Sequence, residues 1–298
     1  HYRTQPGDLQ RLLDDNELSL FIAKYNQHVV AIALVSHEGS FSAELSTAVY
    51  RGERRPAGNL LAQALTYHCG VEDAATLSYA RIMRIAVNPE LQGQGIGTKL
   101  IEYVSQHEKE NGCDAIGSSF GLNLILLNFW RAASFNTVRI GFKREQTSGE
   151  HAAIMLNPLS DKGETVYHLA HQRFIQQCPY LFDDVLKDLS EKIKRYFNSE
   201  FVNSDRLTDA DNQDLYSFLN YTRNYELCIA AINKLVRMKQ QQISEDTFPE
   251  DFKIILSEKI FNKSGWKQIA VLMKLNGQKD ARLLLKQAVN YLIQQNKQ

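Results

Sequence analysis

Short apolar runs broken by glycine-bearing turns fill the first half of the chain, and helical periodicity fills the second. In the first half, residues 18–24 and 29–37 read as a strand pair around Asn26-Gln27. Further strands are expected over 77–87, 115–120, 139–143 and 151–156, with helices over 59–68, 97–110 and 124–133. In the second of these helices Leu100, Ile101 and Val104 share one face. Past residue 161 the expected helices are 165–178, 180–198, 212–238, 248–262, 265–275 and 279–295. The texture changes near Asn157-Pro158 and Asp161-Lys162-Gly163. This divides the chain into an α/β (α+β) domain over 1–160 and an α-helical domain over 161–298.

At 298 residues, 44% hydrophobic and 23% charged, the chain can bury two ordinary cores. The formal net charge of zero hides an asymmetry. Residues 252–298 carry nine basic and two acidic side chains, net +7, which points to a localised electrostatic surface. Cys69, Cys113, Cys178 and Cys228 lie far apart with no C-x-x-C pair, against a zinc ribbon or a disulfide framework. That usage suits a reducing, cytoplasmic compartment. No apolar run reaches the roughly 18 residues of a membrane span. The chain opens at His1 without a signal-peptide pattern, as a fragment of a longer protein would.

The most informative segment runs from Arg84 to Leu100, R-I-A-V-N-P-E-L-Q-G-Q-G-I-G-T-K-L. A strand ends at Asn88-Pro89, a glycine-rich turn comes next, and an amphipathic helix opens. Glycines 93, 95 and 97 let the backbone bend sharply and keep side chains away from a ligand. The first helical amides have no partner within the helix, and the helix dipole adds positive charge there. A pyrophosphate fits that need. A P-loop does not fit, because Thr98-Lys99 stand in the wrong order after Gly97. Nor does a dinucleotide fingerprint: its third glycine comes one residue early, and Asp114 precedes its strand instead of ending it. A glycine turn without a ligand is the plain alternative.

The spacing Q-x-x-G-x-G between a strand and a helix resembles the acetyl-CoA loop of Gcn5-related N-acetyltransferases. The resemblance implies a splayed mixed sheet. The strand at 83–87 parts from that at 115–120, the thioester sits in the gap, and the loop amides hold the coenzyme A diphosphate. Four segments resemble more narrowly the bacterial tRNA(Met) cytidine acetyltransferases: H-Y-R-T-Q-P-G-D-L from His1, R-G-E-R-R-P-A-G-N-L from Arg51, Arg84–Lys99, and S-F-G from Ser119 with L-L-N-F-W from Leu126. That resemblance covers residues 1 to about 157. It implies N4-acetylation of the wobble cytidine of elongator tRNA(Met) with acetyl-CoA as donor. It also implies an ATP-binding helicase-like module ahead of the acetyltransferase, and this chain has no Walker A pattern. By the same resemblance Ile85, Ala86, Val87, Gln92, Gly93, Gln94, Gly95, Ile96, Gly97 and Thr98 match the acetyl-CoA contacts. Asn123 and Arg131 are the nearest counterparts of the family's later cofactor contacts, a glutamate and an arginine.

Acyl transfer to the cytosine amine is a direct attack on the thioester, aided chiefly by holding the reactants together. A strand amide from Ile85–Val87 would polarise the carbonyl. The amine carries no proton to remove beforehand, so a base is useful mainly as the bond forms. His1, His68 and Tyr67 are candidates, with a frayed terminus and a packed helix end as their plainer readings. No catalytic residue is assigned. Arg51, Arg54 and Arg55 crowd one loop and suit a phosphate clamp on tRNA. Lys259, Lys263 and Lys267 recur every four residues, as do Arg282 and Lys286, and would line helix faces toward RNA. Ordinary solvated faces look alike. Phe261 and Trp266, and likewise Phe129, Trp130 and Phe135, are read as core before base-stacking residues. Two other readings remain open at this point: an amine N-acetyltransferase acting on protein or small molecules, and a tRNA-binding module without turnover.

Overall fold

The computed structural model describes residues 16–146, 148–198, 201 and 206–295. Asn26 and Gln27 both take left-handed backbone, with φ of 45° and 66°. A two-residue turn of that kind matches strand twist, and it joins β1 (Leu18–Tyr25) to β2 (His28–Gly39). β2 pairs antiparallel with β3 (Ser78–Val87), and β3 pairs parallel with β4 (Ala115–Gly121). β4 pairs antiparallel with β6 (His151–Pro158), which carries β5 (Asn136–Arg144) on its far side. The sheet order is β1-β2-β3-β4-β6-β5, with all six expected strands present.

Two features of the sheet shape its centre. Between β2 and β3 the register passes from Val35↔Ile82 to Leu34↔Arg84, so Met83 is an extra, unpaired residue. Between β3 and β4 only four pairs form, from Tyr79↔Ala115 to Ile82↔Ser118. Beyond them the two strands part, each still held on its outer side: β3 by β2, and β4 by β6.

Helices cover both faces. α1 (Ala43–Arg51), absent from the periodicity reading, is fixed by its ends. The Ser42 hydroxyl accepts from the Leu45 amide at 3.3 Å, and Gly52 closes the helix with φ 75°. α2 (Leu60–Gln63) runs on as a π-helical turn, Ala64–His68. Leu61 and Leu65 from this segment are buried with Tyr79, Ala115, Ile154 and Leu156 in the main core of the sheet domain. α3 (Ile96–Glu110) is the crossover that a parallel β3–β4 pair requires. It buries Leu100, Ile101 and Val104, as its spacing predicts. α4 (Leu124–Ala132) places Trp130 among Phe120, Phe129 and Phe135, with ring centroids 5.0–5.9 Å apart. Trp130 and Phe135 are buried, so these aromatics pack the domain.

Asp114, a ribose-ligand candidate by its spacing, instead ties strand starts together. Its carboxylate accepts from the Ser78 amide at 3.0 Å and from the Ser160 hydroxyl at 2.7 Å, and its carbonyl accepts from the Leu159 amide at 2.9 Å. The next helix, α5 (Asp161–Asp183), sends Val166 and Ala170 into the sheet domain's core. The first compact unit accordingly runs to Phe174, past the expected boundary at residue 160, and the second spans Ile175–Gln298.

The second unit is helical, in shorter pieces than expected. α6 is Glu191–Asn198. The expected helix over 212–238 is broken into α7 (Asp209–Asn220), a 3-10 turn at Tyr225–Leu227 and α8 (Ile229–Met238). A short α9 (Gln240–Ile243) comes next. α10 (Glu250–Leu256) passes into a π-helical turn, Ser257–Phe261, before α11 (Trp266–Leu272) and α12 (Gln278–Gln294). Three buried ion pairs stitch this unit: Lys259–Asp184 at 2.8 Å, Lys234–Asp211 at 2.7 Å and Arg223–Asp214 at 3.3 Å.

Candidate functional site

The glycine turn sits where β3 ends, α3 begins and α4 passes. Pro89–Leu91 form one 3-10 turn, capped by Asn88, whose side chain accepts from the Glu90 amide at 3.1 Å. Gln92 folds back so that Nε2 donates to the Val87 carbonyl at 3.2 Å. Gly93 and Gly95 have φ of 78° and 80°, the left-handed region that glycine enters without strain. A Cβ at either position would meet nothing within 4 Å, so both face open space. Gly95 is the N-cap of α3 and offers no side chain to the first-turn amides. Those amides therefore face outward without a protein acceptor of the usual capping kind. Gly97 is needed for a different reason. A Cβ there would lie 3.1 Å from the Phe129 ring and 3.4 Å from Val87 Cγ2, so the helix start is pressed against α4 and the end of β3.

Beside this turn lies the fork. Ile85, Ala86 and Val87 pair with Ala33, Ile32 and Ala31 of β2 on one edge, and past Ile82 their other edge has left β4. An opened strand edge next to a bare helix start presents backbone donors and acceptors to a long, polar, phosphate-bearing ligand. The residues suit a coenzyme A diphosphate, because the two open glycine positions leave room for it and the dipole favours its charge.

A cavity of about 890 Å³ opens on the sheet domain next to this fork. Residues two apart share a strand face, so Tyr79 and Arg81, and Gly117 and Ser119, look toward α2. A Cβ on Gly117 would indeed meet Leu61 at 2.8 Å. Ser119 stands one residue past the fork and lines the cavity with Tyr67, His68, Arg54, Arg55 and Arg139. Tyr67 and His68 thus reach a cavity as well as ending the π-helical turn. Arg139 comes from β5, and no motif or spacing in the chain points to it. His1 lies outside the described residues.

Several expected positions take other roles. Asn123 is the N-cap of α4: Oδ1 accepts from the Leu126 amide at 2.9 Å and Nδ2 donates to the Gly121 carbonyl at 3.2 Å. Both ends of its side chain thus take part in the cap. Arg131 is exposed in the last turn of α4. Arg51 ends α1, and only Arg54 and Arg55 belong to the loop and to the cavity. In the tail the stripe of Lys259, Lys263 and Lys267 does not form, because a π-helical turn and a left-handed Lys263 (φ 53°) separate the three. Lys259 is buried at 3% exposure, paired with Asp184 and 5.0 Å from the Tyr225 and Trp266 ring centres, so it is a core cation and not an RNA contact. Lys263 donates to Asn233 Oδ1 at 2.9 Å, and burial lowers its pKa. Arg282 pairs with Glu226 at 2.8 Å and lies over the Trp266 ring. Trp266 is buried and donates to Glu226, as a core residue does. Lys267 is exposed and Lys286 half-buried.

All four cysteines are free and buried, and burial pushes the Cys113 thiol up to about 11. Among the described residues no group of acidic, histidine or cysteine side chains is arranged to hold a metal ion, and no helix is long and apolar enough to cross a membrane.

A mixed sheet that forks after a short parallel pair, with a glycine turn and a bare helix start at the fork, defines an acetyltransferase fold of the Gcn5-related class. The chain belongs to the GNAT acetyltransferase 2 family, whose profile matches residues 1–114 and 105–160. Acetyltransferases of this class draw on acetyl-CoA. Over 296 residues the chain is 36% identical to the tRNA(Met) cytidine acetyltransferase TmcA of Nitrosococcus halophilus (strain Nc4), covering 98% of this chain and 40% of that protein. The protein of the same name from Actinobacillus pleuropneumoniae serotype 5b (strain L20) is 41% identical over 186 residues, 61% of this chain and 30% of its own length. That from Haemophilus ducreyi (strain 35000HP / ATCC 700724) is 34% identical over 250 residues, 82% of this chain and 41% of its own length. The chain therefore spans less than half the length of these relatives. Among solved structures, the ribosomal-protein-S18-alanine N-acetyltransferase from Escherichia coli aligns with TM-score 0.36 and 18% identity, over 54% of this chain and 81% of that one.

Proposed function

We propose that this chain is the acetyl-transferring part of a cytoplasmic tRNA-modifying enzyme. It would move the acetyl group of acetyl-CoA to N4 of the wobble cytidine of elongator tRNA(Met), in partnership with an ATPase module. The names of the curated relatives support the substrate. The observation that carries the chemistry is the fork beside the glycine turn.

In this reading the amides from Gln92 to Thr98 hold the diphosphate. The free edge of Ile85, Ala86 and Val87 aligns the pantetheine arm, and one of its amides polarises the thioester carbonyl. The bound donor supplies an activated acetyl group. The chain's own part is to place a weak, neutral amine against it and to exclude water, which is worth most of the acceleration in such transfers. Arg51, Arg54, Arg55, Lys267 and Lys286 would meet tRNA phosphates.

The test is thermal. Acetyl-CoA at about a hundred times its dissociation constant stabilises a binding protein by roughly 2.7 kcal/mol. A rise in melting temperature is expected for this chain and none for Gly95→Asp, which sets a carboxylate where phosphate belongs. Incubation with radiolabelled acetyl-CoA and total tRNA, and then nucleoside analysis, is expected to place the label on N4-acetylcytidine. No melting shift at millimolar acetyl-CoA would end the acetyltransferase reading.

A further inference from the structure

The cavity beside the fork is strongly basic, and its charge is largely uncompensated. Arg81 is neutralised by Glu38, whose Oε1 lies 2.5 Å from Nε. Arg54, Arg55 and Arg139 form no ion pair among the described residues. One carboxylate, Glu145, shares the lining. Arg54 and Arg55 are exposed on the rim. Arg139 is the unusual member: its guanidinium lies 5.6 Å from the centre of the Phe142 ring, and burial lowers its pKa. Arg139 is half-buried and has no anion beside it, so its partial loss of water is not offset by a charge partner. A cation without a charge partner on the wall of a cavity is a candidate ligand group.

The cavity also lies on the correct side of the sheet for an acceptor. Arg81 and Ser119 look toward α2, whereas the glycine turn adjoins Val87 and Phe129 where α3 begins. Donor and acceptor would then meet through the fork from opposite faces.

We propose that this cavity is a phosphate seat for the acceptor polynucleotide, with Arg139 on its floor and Arg54 and Arg55 on its rim closing on one backbone phosphate. The seat deepens the proposed function and rests on it for the identity of the acceptor. Guanidinium recognises a phosphodiester through paired N–H donors. A half-buried guanidinium fixes where the phosphate stops, whereas the exposed rim arginines supply mainly attraction.

The probe is a short cytidine-containing oligoribonucleotide and the same oligomer with neutral methylphosphonate linkages, titrated into this chain. Arg139→Gln is expected to weaken the phosphodiester oligomer about tenfold at roughly 0.1 M salt and to reduce the slope of log affinity against log salt by about 0.7 to 1. The neutral oligomer should bind the two proteins alike. Without ligand, Arg139→Gln should melt no lower than the parent, a result that a purely structural arginine would not give. The acetyl-CoA melting shift should be unchanged. The rim variant Arg54→Gln/Arg55→Gln leaves the buried core untouched, carries the same binding expectations, and decides the matter should Arg139→Gln fold poorly. Unchanged phosphodiester affinity in the folded variants would overturn the seat. So would loss of the acetyl-CoA shift in its place, because the cavity would then serve the donor. If the parent chain shows no acetyl-CoA shift, the enzymatic reading falls while the oligonucleotide arms still judge the seat.

Discussion

The Ser118 hydroxyl donates to the Ile82 carbonyl across 3.0 Å, and these same two residues form the last register pair between β3 and β4. A side chain thus reinforces the point from which the strands diverge. Ser118 is 3% exposed, so the bond is made in a dry environment where leaving an acceptor unmet is costly.

Ser118→Ala removes that bond. It is expected to lower the unfolding free energy by about 1 kcal/mol, up to about 3 if the carbonyl finds no other donor. Urea denaturation of parent and variant measures the difference.

Gly163 opens α5 against the β4 start. A Cβ there would lie 1.9 Å from the Asp114 carbonyl oxygen, and backbone on both sides has no room to yield. Gly163→Ala should therefore be among the most damaging single-methyl additions in the chain, costing roughly 3 kcal/mol or more. A melt of the sheet domain that fell by only a degree or two would contradict that contact.

Lys259 and Lys267 look equivalent in the sequence and should behave oppositely. Lys259→Met strands Asp184, whose other partner is the Tyr225 hydroxyl at 3.2 Å, and should cost about 3–5 kcal/mol. Lys267→Gln, at an exposed site, should stay within about 0.5 kcal/mol. Thermal denaturation of the two variants separates them, and tRNA binding should respond to Lys267 alone once folded protein is compared.

His37 Nε2 lies 3.0 Å from the Glu108 carboxylate, which is buried on α3. The hydrogen bond to Glu108 raises the His37 pKa above its ordinary value, outweighing partial burial, which acts in the other direction. The folded state thus binds this proton more tightly than the unfolded chain, whose histidines titrate near about 6.5. The pair's contribution is complete below that value and is lost as pH climbs through the higher folded value. The melting difference between the parent and His37→Gln should be largest near about pH 6 and shrink toward about pH 9. A difference that does not vary with pH would show that the ring acts by packing alone.

All six strands, α3 and the glycine turn are legible in the sequence because each rests on local rules: period-two apolar runs, a left-handed hairpin pair, an amphipathic stripe, glycine at positive φ. The helix α1 is signalled by Ser42 and Gly52 but escapes a periodicity reading because its apolar face is short. The tail misleads because lysines four apart share a face only if α-helical phase persists. Here the helical phase ends at Phe261, Lys263 takes left-handed backbone and a new helix starts only at Trp266, while Lys259 falls four residues after Ile255 on the buried face. The break after Asn220 has its own marker in Asn224, which caps the Leu227 amide at 3.2 Å. Arg139 is invisible in the sequence because β5 meets α2 and the loop after α1 only through the fold, from about 75 to 85 residues away.

The extra residue at Met83 has one more effect. Side chains on a strand alternate, so an unpaired residue inverts which of them look up and which look down from there on. Ile82 and Val87 are five apart and would otherwise face opposite ways; with the insertion they share the side on which α3 starts, and Val87 reaches Gly97. Deleting this one methionine would swap the lining of both surfaces downstream of it at a stroke, so the strand's length, more than the identity of any residue in it, keeps the donor and acceptor sides distinct.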